Sequence, residues 1–177
     1  MLKRCLLALV TWLLLLPAYS QMPTVAPSKA LAPAASKAIT IYLVRHAEKA
    51  SPTGDAELSE AGTKRAACLA NTLADTNLKA VYTTEYKRTK NTGAPTAEKT
   101  GITPTVIKGA DVDKLIAELQ KEAGRSVLVV GHSNTVPKVI EKLGAGTVTI
   151  KDEEYDHLYI VTLWNGEASL ASLRYCN

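Results

Sequence analysis

The sequence has no long run of lysine and arginine and, beyond its N-terminal segment, no low-complexity tract or internal repeat. Its formal net charge of +4 is small for 177 residues. It therefore lacks the basic stripe that follows the backbone of a nucleic acid. These absences argue against a nucleic-acid partner and against a repeat architecture.

The composition is that of an ordinary globular protein, with 46% hydrophobic and 21% charged residues. A chain of this length predicts one domain. Its core should be large enough to fold without a structural metal or a disulfide.

The N-terminus has the order of a secretory signal peptide. Two basic residues precede an apolar run over residues 5–16, and small residues follow at Ala18 and Ser20. The run is shorter than the roughly 20 residues that cross a bilayer, which argues against an uncleaved anchor. We therefore expect a signal peptide over residues 1–20, cleavage after Ser20, a periplasmic or secreted protein, and no stable membrane span after cleavage.

Residues 21–38 are rich in proline, alanine and serine, a composition that predicts a flexible tether before a domain over residues 39–177. Two cysteines remain after cleavage, Cys68 and Cys176. In an oxidising compartment they can form a disulfide. The alternative is a small buried side chain at Cys68 and an unpaired cysteine near the chain end, and spacing alone leaves both open.

Apolar runs and helical periodicity alternate along the domain. Strands are predicted over residues 39–44, 80–84, 103–107, 126–130, 158–163 and 169–174. Helices are predicted over residues 59–75, 86–99, 111–123 and 134–143. Asn165-Gly166 predicts a hairpin between the last two strands. This order predicts a three-layer α/β/α sandwich with a mostly parallel sheet and an antiparallel edge hairpin near the C-terminus.

Chemically active side chains follow three of the predicted strands. The first, second and fourth strands lead into Arg45-His46-Ala47-Glu48, Thr84-Glu85-Tyr86-Lys87-Arg88 and Gly131-His132-Ser133-Asn134, respectively. Ligands of open α/β sheets bind beyond the carboxyl ends of the strands, so we expect these side chains to converge. Arginine matches phosphate geometry, and the helix that begins near Ser133 directs its positive end towards an anion. The sequence therefore predicts a phosphate site.

These residues resemble the motifs of the histidine phosphatase superfamily, also called the phosphoglycerate mutase-like superfamily, and suggest a small exported branch of it. The resemblance extends from about Ile39 to the C-terminus in the order of strands and helices. The motifs are Arg45-His46-Ala47-Glu48, Leu58-Ser59-Glu60-Ala61-Gly62, Tyr82-Thr83-Thr84 with Arg88-Thr89 and Thr92, and Gly131-His132-Ser133. Four matches in the right order are specific, whereas any one alone is weak.

The resemblance implies that His46 is the nucleophile and forms a phosphohistidine. It implies that Arg45, Arg88 and His132 bind the phosphoryl oxygens, with Ser133 in the same phosphate site, and that no metal or other cofactor takes part. A neutral imidazole is a competent nucleophile, and neighbouring cations stabilise charge on the transferred group. The expected activity is that of a metal-independent phosphatase acting on a small phosphate ester or on a cell-envelope phosphate.

The proton donor for the leaving group is less clearly marked. Glu85, three residues before Arg88, is the first candidate, and Asp111, after the third strand, is the second. A solvated carboxylate at the start of a helix explains Glu85 about as well. We interpret Glu48 as a group that orients the pocket and His157, beside a charged turn, as structural.

Three alternative functions use the same residues. His46, Glu48 and His132 suit a metal-dependent hydrolase, but Arg45 and Arg88 would repel the cation. A non-catalytic phosphate-binding module would keep the pocket without turnover. A phosphomutase must hold its substrate during transfer, and this compact chain has little material to close over an intermediate.

Overall fold

The structure, a computed structural model, describes residues 37–176. The expected signal peptide and residues 21–36 of the expected tether lie outside the described residues. Within 37–176 no helix is both long enough and apolar enough to cross a membrane.

The described chain alternates strands with helices, as predicted. The strands are β1 (Ile39–Arg45), β2 (Leu78–Thr83), β3 (Thr105–Val106), β4 (Ser126–Gly131), β5 (His157–Trp164) and β6 (Glu167–Arg174). The helices are α1 (Glu60–Thr72), α2 (Lys87–Thr100), α3 (Val112–Leu119) and α4 (Thr135–Lys142), and a 3₁₀ turn at Gln120–Glu122 follows α3.

The six strands form one sheet in the order β3-β2-β4-β1-β5-β6. β1, β2, β3 and β4 pair in parallel, whereas β5 pairs antiparallel with both β1 and β6. The predicted mostly parallel sheet with an antiparallel edge hairpin is therefore confirmed.

Two apolar clusters lie on opposite faces of this sheet. In β4, Val127 and Val129 pack in one cluster with residues of α3 and α4, including Ile140. The alternate residues Leu128 and Val130 pack in the other cluster with residues of α1 and α2. Both faces of the central strands are covered, which explains why β1 and β4 are continuous apolar runs. The result is the predicted three-layer sandwich.

The start of α1 fits closely against the loop that follows β1. The Ser59 hydroxyl accepts a hydrogen bond from the Gly62 N–H at 3.1 Å and so caps the helix. A Cβ atom at Gly62 would overlap the carbonyl oxygen of Glu48. Only glycine allows this approach, which gives a packing reason for the Leu-Ser-x-x-Gly motif.

Some element bounds differ from the predicted ones. β3 has two residues instead of five, because it is an exposed edge strand that pairs only with β2. The third helix changes to a 3₁₀ turn at Gln120 instead of continuing to residue 123. A disulfide joins Cys68 of α1 to Cys176, so the structure selects the paired alternative.

Candidate active site

A cleft of about 760 Å³ opens beyond the carboxyl ends of β1, β2 and β4. It brings together the six residues predicted for the site: Arg45, His46, Glu85, Arg88, His132 and Ser133. Asp111, the second candidate acid, is exposed and lines a separate small apolar cavity instead. The convergence follows from the parallel sheet, in which these strand ends meet at one edge.

His46 lies directly after β1 and is 4% exposed. Its Nδ1 lies 2.8 Å from the carbonyl oxygen of Ala47, so Nδ1 carries the hydrogen and donates it. Burial is the main reason that the pKa of His46 is lowered to about 3. The Ala47 hydrogen bond opposes this effect, and the electrostatic effects of His132, Arg45 and Arg88 add to it. At neutral pH the ring is therefore neutral. Nε2, with no hydrogen-bond partner among the described residues, keeps a free lone pair.

Arg45 is held by the loop before β5. Its Nη1 donates to the carbonyl oxygens of Lys151 and Asp152, both at 2.8 Å, and of Glu154 at 3.3 Å. The guanidinium carbon lies 4.2 Å from the centre of the Tyr155 ring. Its Nε is buried and has no partner in the described part of the chain. Arg45 is thus fixed on one side and keeps one donor unpaired.

Arg88 contacts Tyr86 on its own chain segment and His132 after β4. Its guanidinium carbon lies 4.3 Å from the centre of the Tyr86 ring, and its Nη2 lies 3.5 Å from Nδ1 of His132. As in Arg45, the Nε of Arg88 is buried and finds no partner in residues 37–176. Two buried guanidinium donors therefore lack an acceptor in one cleft.

The tautomer of His132 follows from its neighbours. Because a guanidinium group only donates, Nδ1 must accept the long hydrogen bond from Arg88, and Nε2 then donates to the hydroxyl of Thr84 at 3.0 Å. Thr84 is in turn 2.8 Å from the hydroxyl of Thr89. Burial and the Arg88 charge lower the pKa of His132 to about 4. The centres of the His46 and His132 rings are 5.4 Å apart.

Two buried threonines of α2, Thr89 and Thr92, support the site. The sequence pattern indicated no role for either. Thr92 accepts a hydrogen bond from the Ala47 N–H at 2.9 Å and donates to the Arg88 carbonyl at 2.7 Å. Thr89 donates to the Tyr86 carbonyl at 2.8 Å while contacting Thr84. The sequence shows that Thr89 and Thr92 lie one and four residues after Arg88. It does not show which groups their hydroxyls bond.

The remaining candidates lie in different surroundings. Glu85 accepts a hydrogen bond from the Gly109 N–H at 2.8 Å through one carboxylate oxygen and lines the cleft. Glu48 faces away from the cleft and pairs with Arg65 of α1. His157 begins β5 outside the cleft, where it lies 3.6 Å from Glu154. No group of three potential metal ligands occurs between residues 37 and 176.

The model of the histidine phosphatase superfamily (branch 1) matches residues 41–111. No curated protein sequence matches the chain.

Solved structures match over most of the domain. The protein histidine phosphatase SixA, complexed with tungstate, is 19% identical with a TM-score of 0.65, over 76% of this chain and 96% of that one. A putative α-ribazole-5′-phosphate phosphatase from Escherichia coli is 15% identical with a TM-score of 0.63, over 77% and 96% of the two chains. A phosphoglycerate mutase from Bacillus anthracis is 17% identical with a TM-score of 0.63, over 78% and 93%. These likenesses show the fold, and the family match supports the histidine phosphatase superfamily.

Proposed function

We propose that this chain belongs to the histidine phosphatase superfamily and is an exported, metal-independent phosphatase that hydrolyses phosphate monoesters through a phosphohistidine on His46. The observation that carries this proposal is the convergence of Arg45 and Arg88 with a neutral histidine in one cleft. Guanidinium groups match the oxygens of a phosphate group, and a phosphate bound between these two places its phosphorus near the imidazole.

In the first step, the phosphoryl oxygens accept hydrogen bonds from the two guanidinium groups, and Nε2 of His46 attacks phosphorus. The N–P bond forms as the bond to the ester oxygen breaks. The imidazole gains positive charge, and the Ala47 carbonyl that accepts from Nδ1–H stabilises it. His132, whose ring nitrogens bond Arg88 and Thr84, supports the Arg88 guanidinium beside the phosphoryl group.

The leaving oxygen takes a proton from Glu85, so the first product is an alcohol and the enzyme holds the phosphoryl group. In the second step, water attacks phosphorus, the N–P bond breaks, and Glu85 accepts a proton from the water. Inorganic phosphate leaves and His46 returns to its neutral form. Glu85 supports this role better than Asp111, because only Glu85 lines the cleft.

The cleft is compatible with a range of phosphate esters. It is wide and polar, with the amines of Lys49 and Lys138 at its wall and the partly exposed Tyr86 ring beside Arg88. Small phosphate esters and cell-envelope phosphates both satisfy these features. The Cys68–Cys176 disulfide supports an exported location, because such bonds persist in oxidising compartments.

The test uses the mature protein with a panel of phosphate esters, one carrying labelled phosphate. We expect hydrolysis that a chelator does not reduce, and label on the protein after rapid acid-free quenching. His46→Ala should abolish both turnover and labelling while leaving the fold intact. His157→Ala, a change to the histidine outside the cleft, should keep the labelling.

Three results would contradict the proposal in different ways. Phosphate binding without turnover would indicate a binding module, and transfer of label to a second hydroxyl group would indicate a mutase. Labelling that persists in His46→Ala would move the nucleophile to another residue.

A further inference from the structure

We infer that the C-terminal residues Tyr175 and Cys176, fixed to α1 by the disulfide, position both Arg45 and His46. Arg65 and Tyr175 are then positioning residues that touch no substrate. The kinetic part of this inference rests on the proposed phosphatase function, whereas its structural part does not.

The first connection runs from α1 to the loop that carries His46. Arg65 donates to both carboxylate oxygens of Glu48, from Nη2 to Oε1 at 2.8 Å and from Nε to Oε2 at 3.1 Å. Both side chains are largely buried, at 19% and 23% exposure. Two parallel hydrogen bonds fix orientation as well as distance. Glu48 is two residues after His46, so this ion pair restrains the loop that holds the nucleophile.

The same arginine contacts the end of the chain. Its Nη1 lies 3.4 Å from the carbonyl oxygen of Tyr175 and 3.5 Å from that of Cys176. The disulfide to Cys68 attaches the chain end to α1 one turn after Arg65. The disulfide therefore keeps the two carbonyl groups against Arg65.

A second connection runs from Tyr175 to Arg45. The Tyr175 side chain is 4% exposed, and its hydroxyl donates to the carbonyl oxygen of Tyr155 at 3.3 Å. The Tyr175 N–H donates to the Asp156 carbonyl at 2.9 Å. The ring of Tyr155 lies against the guanidinium group of Arg45. The chain end thus supports the loop that holds Arg45.

Both connections meet in one short segment that lies outside the cleft lining. β6 is an edge strand that pairs with β5 as far as Arg174, opposite His157. The disulfide holds the two residues that follow it, and these support two site residues. Release of the segment should loosen Arg45 and the His46 loop together while the six-stranded sheet stays intact.

The first test compares Tyr175→Phe with Tyr82→Phe. Tyr82 is an equally buried tyrosine whose hydroxyl donates to Glu122 at 2.9 Å and does not line the cleft. Each variant loses one buried hydroxyl hydrogen bond, and Tyr82→Phe should lose at least as much thermal stability, because its acceptor is a carboxylate. Only Tyr175→Phe should lower kcat and weaken inorganic phosphate binding, each by about threefold to tenfold, the effect of one hydrogen bond.

The second test removes the disulfide with Cys68→Ala and Cys176→Ala together. NMR spectra of the histidine side chains report on the state of the His46 ring and need no turnover. They are simple to assign, because the chain has only three histidines. In the unmodified protein we expect His46 as the neutral Nδ1–H tautomer. In the double variant we expect its signals to broaden or to show mixed tautomers, with kcat reduced by about tenfold or more.

The outcomes separate this inference from the proposed function. An unmodified protein that neither binds phosphate nor turns over would refute the phosphatase, while the histidine spectra would still test the positioning. Folded variants with unchanged His46 signals and unchanged phosphate binding would overturn the inference. If the double alanine variant fails to fold, Tyr175→Phe decides, because it retains the disulfide.

Discussion

Arg45 and Arg88 both line the cleft beside His46, but the fold holds them by different means. Arg88 lies over Tyr86, two residues before it on the same chain segment. Arg45 is held by three carbonyl oxygens that lie 106 to 109 residues later in the chain. Both keep an unpartnered Nε within the described residues. One guanidinium group of the cleft thus stacks on its own chain segment and contacts His132, whereas the other is held by a loop more than 100 residues later.

This difference explains why residues that support Arg88 are found near it in the sequence, whereas those that hold Arg45 are not. The motif with Arg88 includes Thr89 and Thr92, and Tyr86 lies two residues before Arg88; each of the three forms part of its support. The acceptors for Arg45 are backbone carbonyls, which every residue has. No side-chain pattern in the sequence indicates them.

The largest expected effects come from removing each arginine in turn. We expect Arg45→Ala and Arg88→Ala each to lower kcat by roughly 10² to 10³, the usual effect of removing one preorganised donor. Only Arg45→Ala should also lower the free energy of unfolding, by about 1–3 kcal/mol, because it removes a charged donor that bonds three backbone carbonyls of the loop before β5. Steady-state kinetics and urea denaturation measure the two effects.

Equal losses of stability in the two variants would remove the distinction between local and distant support. A small loss of kcat in Arg88→Ala with unchanged KM would make Arg88 a surface residue without a role in the reaction.

An intermediate effect on the rate of hydrolysis is expected for Glu85, the candidate proton donor. Glu85→Gln should slow alkyl phosphate esters strongly and nitrophenyl phosphate weakly, because nitrophenolate leaves without a proton. Asp111→Asn is the matched control, since Asp111 is exposed outside the cleft, and should have almost no effect. Rates for a series of leaving groups give the measurement.

Equal slowing of both ester classes by Glu85→Gln would assign Glu85 to binding or positioning. A strong leaving-group dependence in Asp111→Asn alone would transfer the role of proton donor to Asp111.

A last prediction concerns the two histidines, one beside each arginine. Burial lowers the pKa of His46 to about 3 and that of His132 to about 4. An unfolded histidine titrates near about 6.5, so below that pH the unfolded chain binds protons that the folded chain does not. Stability should therefore fall as the pH is lowered from about 6.5 towards 4.

His46→Gln and His132→Gln should each make this fall shallower, with the larger change at His46 because its pKa is shifted further. Free energies of unfolding from urea titrations at several pH values give the slopes. Slopes identical to that of the unmodified protein would mean that neither ring is kept neutral by the fold.

Burial also determined how well the sequence predicted each strand. The central strands β1 and β4 were predicted to within one residue, because each is an apolar run buried on both faces. The short edge strand β3 was predicted too long, because both of its residues are exposed and carry no burial pattern. The hairpin between β5 and β6 followed from Asn165-Gly166, where both residues have positive φ.

The sequence by itself determined the order of strands and helices, and with it the edge of the sheet at which His46, Arg88 and His132 meet. Periodicity and turn residues are local properties, and a parallel sheet brings the ends of its strands together. Only the tertiary structure decided the tautomers of the two histidines, the carbonyl acceptors of Arg45, and the link from Arg65 to Glu48 and the chain end. These features depend on contacts between residues far apart in the chain, and backbone acceptors and burial have no signature in the sequence.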